Sequence, residues 1–261
     1  MSEELQIRIQ DGDGPTLIYL PGTHGDWTLN GGFRRAIDRQ VRLVEFTFPR
    51  TQTWSCKDYA DAIVAKLAEN NITTGWILAE SFASQIAWAM VKQNSNLFQA
   101  QGIILAGGFV RHPMIPAVHL AKFITRTIPL WLLKPILFSY VFYARIRENN
   151  SPEIRAELKE FTERRTSEGL RAAAHRLQLI ADNDWRQTAQ TNQIPLFSLT
   201  GLIDPIVPWP LVQPWIRKNC ASLRDFKIIW TSDHHVLGAA QKSAAQILNW
   251  INLPSRQSAG D

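Results

Sequence analysis

Ser81 is the residue in this sequence best placed to act as a nucleophile. It follows an apolar run with strand character, residues 75–79 and Glu80, and leads directly into a helical pattern. A serine at such a turn stands clear of the sheet only if the residues two positions before and after it are small. Ala79 and Ala83 meet this requirement, so the segment is G-x-S-x-G with both glycines replaced by alanine. The pattern predicts a serine used for acyl transfer.

A serine nucleophile needs a base, and an acid usually orients that base. Asp204 is the candidate acid because it lies just past an apolar strand, residues 196–200. An aspartate before a proline also begins many turns without any catalytic role. Its place in the order of the strands nevertheless favours the catalytic role. Asp225 is the weaker competitor, because it precedes the last strand and would lie at the wrong edge of the sheet.

Three histidines and one glutamate compete for the remaining roles. His234 and His235 follow the last predicted strand, and either would complete the chain order Ser, Asp, His. The residues alone leave these two as alternatives. His24 stands in a glycine-containing loop, which favours a loop or pocket residue over a base. Glu80 directly precedes the candidate nucleophile, so we expect it to pack or hydrogen-bond beneath the turn rather than to serve as a second acid.

Strands alternate with helical segments along most of the chain. Strands are predicted at residues 5–9, 16–20, 41–46, 75–80, 102–108, 196–200 and 224–230, with helices at 31–39 and 57–70 and after Ser81. This alternation predicts a mostly parallel sheet covered on both faces by helices. From Met114 to Arg186 the pattern is helical and interrupted by prolines, without a good strand.

Several separated stretches resemble the α/β-hydrolase family, and more narrowly its bacterial carboxylesterases of the pimeloyl-carrier-protein methyl-ester type. They are residues 20–23 (LPGT), the turn around Ser81, 109–113 (FVRHP), 201–208 (GLIDPIVP) and 233–237 (DHHVL). This sequence departs from the narrower group at Ala83-Ser84, where that group has Ser-Gly. The resemblance implies an α/β-hydrolase fold with a core at 1–111, a helical cap at 112–186 and the rest of the core at 187–261.

The resemblance also implies roles for particular residues. The backbone N–H groups of Thr23 and Phe82 correspond to the family's oxyanion hole. The helix after the last strand has its apolar residues at the family's usual offsets when they are counted from His234, so His234 becomes the expected base. A structural role in the loop is then expected for His235.

These residues together predict a serine hydrolase that cleaves a carboxylic ester or thioester with an apolar acyl portion, free or carrier-bound, without a cofactor. Serine rather than aspartate at position 81 disfavours the dehalogenase and epoxide-hydrolase chemistries of the fold. Two alternatives stay open. The triad could act as a base for elimination or C–C cleavage, or the scaffold could bind a ligand without turnover.

The most apolar stretch, residues 128–143, lies inside the expected cap. Its length approaches that of a membrane span, but Pro129, Pro135 and Lys134 interrupt it. A pair of lid helices lining an apolar pocket is therefore favoured over a transmembrane helix.

Composition places the remaining limits. With 261 residues, 45% of them hydrophobic, the chain can bury a full core. The acidic N-terminus does not resemble a secretory signal. Cys56 and Cys220 lie far apart and outside any metal-ligand spacing, which favours reduced thiols in the cytoplasm and no metal site.

Residues 111–186 contain thirteen Lys and Arg against eight Asp and Glu, which accounts for the net charge of +5. Because acidic residues are interleaved, a solvated helical surface is favoured over an anion-binding or membrane-binding face. No nucleic-acid-binding motif is present.

Overall fold

The described residues contain a seven-stranded sheet with helices on both faces. The computed structural model describes residues 4–129, 131–132 and 159–252. In chain order the strands are β1 (Gln6–Gln10), β2 (Thr16–Leu20), β3 (Arg42–Thr47), β4 (Thr74–Glu80), β5 (Gln99–Ala106), β6 (Leu196–Gly201) and β7 (Leu223–Ile229). Within the sheet they lie in the order β1-β3-β2-β4-β5-β6-β7.

The sheet is parallel except at one edge. β1 pairs with β3 in the antiparallel sense, and the other neighbouring strands are parallel. The predicted mostly parallel sheet is thereby confirmed. β5 begins three residues before its prediction because Gln99 and Ala100 pair with Thr74 and Gly75 ahead of a shift in register. These residues extend the strand beyond the apolar run from which it was predicted.

Helices cover both faces of the sheet. They are α1 (Gly31–Ala36), α2 (Cys56–Glu69), α3 (Ala83–Gln93), α4 (Ile115–Thr127), α5 (Ser167–Asp182), α6 (Arg186–Thr191), α7 (Trp209–Asn219) and α8 (Ala240–Ile251). Side chains alternate along β2, so that Leu17 joins a core with α1 and α8 while Ile18 joins a core with α2 and α3. Both faces of the central strands are buried, which is why these strands are continuous apolar runs.

The chain between β5 and β6 contains α4, α5 and α6. α4 packs against α5. α5 contacts the loop that follows β3, where His175 bonds the Trp54 carbonyl oxygen and Arg176 donates to the Pro49 carbonyl oxygen. Arg176 also donates to the Thr23 carbonyl oxygen in the loop that follows β2. The apolar stretch predicted as a lid, residues 128–143, lies outside the described residues except at 128–129 and 131–132. Among the helices described, none has both the length and the apolar character that a membrane crossing requires.

The parallel strands bring their carboxyl ends to one edge of the sheet. The loops that follow β2, β4, β6 and β7 therefore meet there, although they are distant in sequence. In open α/β sheets this edge is where ligands bind. The candidate residues at positions 23, 81, 204 and 234 all lie in these loops.

Candidate functional site

Ser81 occupies a strained turn between β4 and α3. Its φ is +49°, a left-handed conformation that costs a non-glycine residue on the order of 1–3 kcal/mol. Ala79 and Ala83 on either side are fully buried, so larger side chains at those positions would force strand and helix apart. Ser84 stabilises the turn because its hydroxyl donates to the Ser81 carbonyl oxygen (2.7 Å) and accepts from the Phe109 N–H (3.3 Å). The residue that departs from the narrower family pattern therefore bonds the turn directly.

The structure brings Ser81, His234 and Asp204 into one hydrogen-bonded chain. His234 Nε2 lies 2.8 Å from Ser81 Oγ, and its Nδ1 lies 2.8 Å from Asp204 Oδ2. The Asp204 side chain is fully buried, whereas 18% of the His234 side chain is exposed. Asp204 Oδ1 accepts hydrogen bonds from the backbone N–H groups of Ile206 (3.0 Å) and Val207 (2.8 Å). These two bonds hold the carboxylate and leave Oδ2 for the imidazole.

Two glycines allow these loops to approach each other. A Cβ on Gly107, which has a φ of +59°, would lie 3.0 Å from the His234 carbonyl oxygen and 3.3 Å from its Nδ1. A Cβ on Gly201 would lie 2.0 Å from the Asp233 carbonyl oxygen. Backbone this close to backbone excludes any side chain, so both positions require glycine.

Phe82 directly follows Ser81, and the loop that carries Thr23 approaches Ser81 from the end of β2. A Cβ on Gly22 would lie 3.5 Å from Ser81 Cβ, so this loop is in contact distance of Ser81. In the part of the chain that the structure describes, neither the Thr23 N–H nor the Phe82 N–H donates to another backbone group. A role for these two N–H groups as an oxyanion hole stays a prediction.

His235 points away from Ser81 and belongs to a second cluster. Its Nδ1 lies 2.7 Å from Glu80 Oε1 and its Nε2 lies 3.4 Å from the Leu29 carbonyl oxygen. The Tyr19 hydroxyl donates to the other Glu80 oxygen. Burial by itself would raise the pKa of Glu80, but the charge of His235 and the hydrogen bonds outweigh it and lower that pKa to about 2. Burial lowers the pKa of His235, and the Glu80 carboxylate overcomes this effect and raises it.

His24 and His112 lie close to the site without joining the hydrogen-bonded chain. Burial lowers the pKa of each imidazole. His24 Nε2 is buried without a hydrogen-bond partner among the described residues. His112 Nδ1 accepts from the Met114 N–H, and its ring packs edge-on against Phe109. Asp225, the weaker candidate acid, lies within β7 and accepts from Trp250 Nε1 (2.8 Å), away from the histidines.

Sequence reasoning missed Arg176, which supports the loop that carries Thr23. This α5 residue is 2% exposed, and its guanidinium donates to the carbonyl oxygens of Thr23 (3.0 Å) and Pro49 (2.9 Å). A Cβ on Gly25, whose φ is +81°, would lie 2.4 Å from Arg176 Nη1. An available signal was that Arg176 shares a helical face with the apolar Ala172, Leu179 and Ile180.

A second missed group is the ion pair between Asp26 and Arg165. Asp26 is 5% exposed and its carboxylate lies 3.0 Å from Arg165 Nη2. Burial would raise the pKa of Asp26, but the Arg165 charge and nearby bonds lower it. Nothing in the local sequence marks this pair, because its members are far apart in the chain. Among the described residues, no cluster of three or more His, Cys, Asp and Glu side chains is suited to hold a metal ion.

Comparison with known proteins supports the fold. No protein-family model matches the chain, and no curated protein matches it in sequence. Solved structures do match. An α/β-hydrolase enzyme from a Medee basin deep-sea metagenome library has a TM-score of 0.75 at 11% identity, with 98% of this chain and 97% of that chain covered. A thermophilic esterase from Thermogutta terrifontis has a TM-score of 0.71 at 16% identity, with 95% of this chain and 92% of that chain covered. The enol-lactonase from Burkholderia xenovorans LB400 has a TM-score of 0.73 at 13% identity, with 95% of this chain and 96% of that chain covered. The chain therefore has the α/β-hydrolase fold.

Proposed function

We propose that the protein is a serine hydrolase that cleaves a carboxylic ester or thioester through an acyl-enzyme. The observation that carries the proposal is the continuous chain from Ser81 Oγ through both nitrogens of His234 to Asp204 Oδ2, with 2.8 Å at each bond. Nucleophile, base and orienting acid are the parts that acyl transfer requires, and this geometry recurs on unrelated folds. The similar structures include an esterase and an enol-lactonase, so a cyclic ester belongs to the same substrate class.

The reaction proceeds in two acyl-transfer steps. Ser81 Oγ attacks the carbonyl carbon while His234 Nε2 takes its proton, and Asp204 accepts a hydrogen bond from the imidazolium Nδ1–H. The backbone N–H groups of Thr23 and Phe82 stabilise the oxyanion. The proton on Nε2 then passes to the departing alcohol or thiol as the carbon–oxygen or carbon–sulfur bond breaks. Water, deprotonated by His234, attacks the acyl-enzyme and releases the acid.

Residues 112–186 serve as the cap in this proposal. Their described helices α4 and α5 follow β5 and reach the loops beside the nucleophile through Arg176. The apolar acyl portion and, where present, a carrier protein would be bound on this side of the sheet. In this proposal the cap binds the acyl group, and residues of the core carry out the chemistry.

Ser81→Ala tests the proposal directly. We expect hydrolysis of p-nitrophenyl butyrate to fall by several orders of magnitude, because removing a triad nucleophile has that effect. A fluorophosphonate probe followed by intact mass should add one label to the wild type and none to the variant. Unchanged turnover would place the nucleophile elsewhere. Labelling of Ser81 with no ester turnover, and with elimination or C–C cleavage products in a mass analysis, would favour the lyase alternative, and no labelling would favour a binding protein.

A further inference from the structure

A pocket of about 250 Å³ adjoins the loop that carries the oxyanion donor. Its walls are formed by residues of this loop, of the loop after β3 and of the segment 161–176, and they include Thr23, His24, Arg50, Arg164, Arg165 and Arg176. A Cβ on Gly22 would lie 3.5 Å from His24 ring atoms and 3.5 Å from Ser81 Cβ. The separation between the His24 ring and Ser81 Cβ is therefore no more than the sum of these two distances. The wall of this pocket therefore adjoins the turn that carries Ser81.

The pocket carries positive charge that its own acidic neighbours do not fully neutralise. Asp26 pairs with Arg165 at 3.0 Å, and Glu160 pairs with Arg164 at 2.8 Å. Arg50 donates through Nη2 to the Arg164 carbonyl oxygen (3.0 Å), and among the described residues its nearest carboxylate is that of the exposed Glu168, at 3.9 Å and beyond hydrogen-bond distance. Arg176 donates to neutral carbonyl oxygens. In the described part of the chain, two guanidinium groups of this wall thus have no carboxylate hydrogen bond.

Hydrogen-bonding groups in the same wall also lack partners. Arg50 Nη1, Arg176 Nε and His24 Nε2 are buried and bond no acceptor within the described residues. Buried polar atoms without partners are rare in folded proteins, and functional sites are among the places where they persist. Apolar side chains also line the pocket, among them Phe48, against which Arg176 stacks, and Phe161, against which Arg165 stacks. Such a pocket suits a short carbon chain that ends in a group rich in acceptor oxygens.

We propose that this pocket binds an anionic group, a carboxylate or a phosphate, carried by the substrate a few carbons from the carbonyl that Ser81 attacks. The inference rests on the proposed function and narrows it to esters or thioesters with an anionic end. Charge-assisted hydrogen bonds from guanidinium to carboxylate or phosphate are strong and directional. The anion would fix the register of the substrate and place its carbonyl between Ser81 and the two backbone donors.

Two esters that differ only in charge test the inference. They are p-nitrophenyl hydrogen glutarate and its neutral amide analogue, the p-nitrophenyl ester of glutaramic acid, with spontaneous release measured on the Ser81→Ala variant and subtracted. We expect the wild type to favour the anionic ester in kcat/KM by about tenfold or more, the effect of one charged hydrogen bond. Arg50→Gln should remove most of that preference.

Arg42→Gln is the matched control. Arg42 is also partly exposed, has a buried Nε without an acceptor and approaches an exposed carboxylate at 3.5 Å, but it begins β3 outside the pocket. We expect it to keep the wild-type preference. A wild type without preference for the anionic ester, or a preference that Arg50→Gln leaves intact, would overturn the inference while neutral ester hydrolysis upheld the proposed function.

Direct binding separates the two proposals if neither ester is cleaved. Calorimetry with glutarate and with inorganic phosphate, on the wild type, Arg50→Gln and Arg42→Gln, reports the pocket without chemistry. Binding that only Arg50→Gln loses would uphold the pocket even though the hydrolase proposal had failed, and the anion that binds identifies its source as carboxylate or phosphate. Absence of binding by both anions, or equal binding to all three proteins, would overturn the inference.

Discussion

Two adjacent histidines form two separate pairs with carboxylates at the carboxyl edge of the sheet. His234 links Asp204 to the Ser81 hydroxyl, while His235 bonds Glu80 from the opposite side. Glu80 and Ser81 are themselves neighbours, so both pairs meet at the strained turn. One pair ends on the Ser81 hydroxyl, which is the nucleophile of the proposed function. The other is closed by Tyr19 and Leu29, which makes it suited to hold the turn in place.

Substituting each histidine separates these roles. We expect His234→Ala to reduce turnover of p-nitrophenyl butyrate by at least about a thousandfold, because among the described residues His234 is the group hydrogen-bonded to the serine hydroxyl. His235→Ala should retain measurable turnover and lose thermal stability, since the buried charge of Glu80 would lose its imidazole partner and keep the neutral Tyr19 hydroxyl. Kinetics and thermal unfolding of both variants are the measurement. The opposite order of activities would make His235 the base and leave the rest of the mechanism standing.

The buried pair of Glu80 and His235 predicts a specific loss of stability in acid. The folded-state pKa of Glu80 is about 2, below its ordinary value of 4.5, so its contribution is present above pH 4.5 and is lost as the pH falls through about 2. The raised pKa of His235 gives a contribution that is complete below the ordinary histidine value and lost as the pH rises through the folded value. The pair of Glu80 and His235 therefore contributes most to the free energy of unfolding between pH 4.5 and the ordinary pKa of histidine.

The double variant Glu80→Gln/His235→Ala removes both members of the pair, because a His235 left buried without the Glu80 carboxylate would have a lowered pKa and would itself destabilise the fold in acid. Unfolding free energies are measured by denaturant at pH 6 and pH 3. Relative to the double variant, the wild type should lose on the order of 2 kcal/mol more between these pH values. Glu69→Gln, which alters an exposed glutamate at the end of α2, should match the wild type in this difference. Equal pH dependence of the wild type and the double variant would contradict the prediction.

At the scale of elements, α5 bonds the loop between β2 and α1 through one side chain. Arg176 donates to Thr23 and Pro49 and stacks on Phe48, with its guanidinium carbon 5.6 Å from the ring centroid. Gly25 gives the guanidinium its space. Because Thr23 carries a backbone donor of the proposed oxyanion hole, the position of that donor depends on a helix of the inserted region.

Arg176→Met tests this dependence with a side chain of similar length that cannot donate. Loss of an oxyanion donor reduces kcat by about 100- to 1,000-fold, so a displaced donor should cost about tenfold or more. Since this contact strengthens in the transition state, kcat on a neutral ester should fall with little change in KM. Arg171→Met, at an exposed position on the same helix, is the control. A variant that loses only thermal stability and keeps kcat would make Arg176 purely structural.

Local patterns in the sequence could predict the strands and the turn at Ser81, but not contacts between distant segments. Apolar runs predicted β2 with its observed bounds, and small residues around Ser81 predicted the turn that the structure contains. The assignment of Ser81, Asp204 and His234 as catalytic stays a prediction, although the structure brings them together. The apolar helical face around Arg176 could have indicated that it is buried, but its contacts and the pair of Asp26 and Arg165 could not be predicted, because the partners lie more than a hundred residues apart in the chain.

At the scale of the whole molecule, part of the basic charge of the inserted region lies at the pocket beside the oxyanion loop. Arg164, Arg165 and Arg176 line that pocket, whereas Lys159 and Arg186 are exposed. A solvated helical surface for the rest of the inserted region stays a prediction. A role for the outer cap surface in meeting an anionic partner stays a prediction. At physiological ionic strength, salt would largely screen such attraction over distances beyond a Debye length of about 8 Å.

If the inserted region covers the core as proposed, turnover should depend on the length of the acyl chain. If the inserted region covers the acyl portion of the substrate, each added CH₂ that becomes buried contributes about 0.8 kcal/mol. On neutral p-nitrophenyl esters from acetate to decanoate, kcat/KM should then rise by about fourfold per CH₂ until the pocket is full. Release measured with Ser81→Ala corrects each ester for spontaneous hydrolysis.

Repeating the series at low and high salt separates burial from charge. The neutral esters should keep their length dependence, because burial of apolar surface needs no charge, whereas turnover of an anionic or carrier-bound substrate should weaken as salt screens the basic residues. A profile that is flat in acyl length would mean that the inserted helices stabilise the core without binding the acyl chain. An equal effect of salt on neutral and anionic substrates would remove electrostatic recognition from the cap, because a charge that discriminates between substrates must respond differently to them.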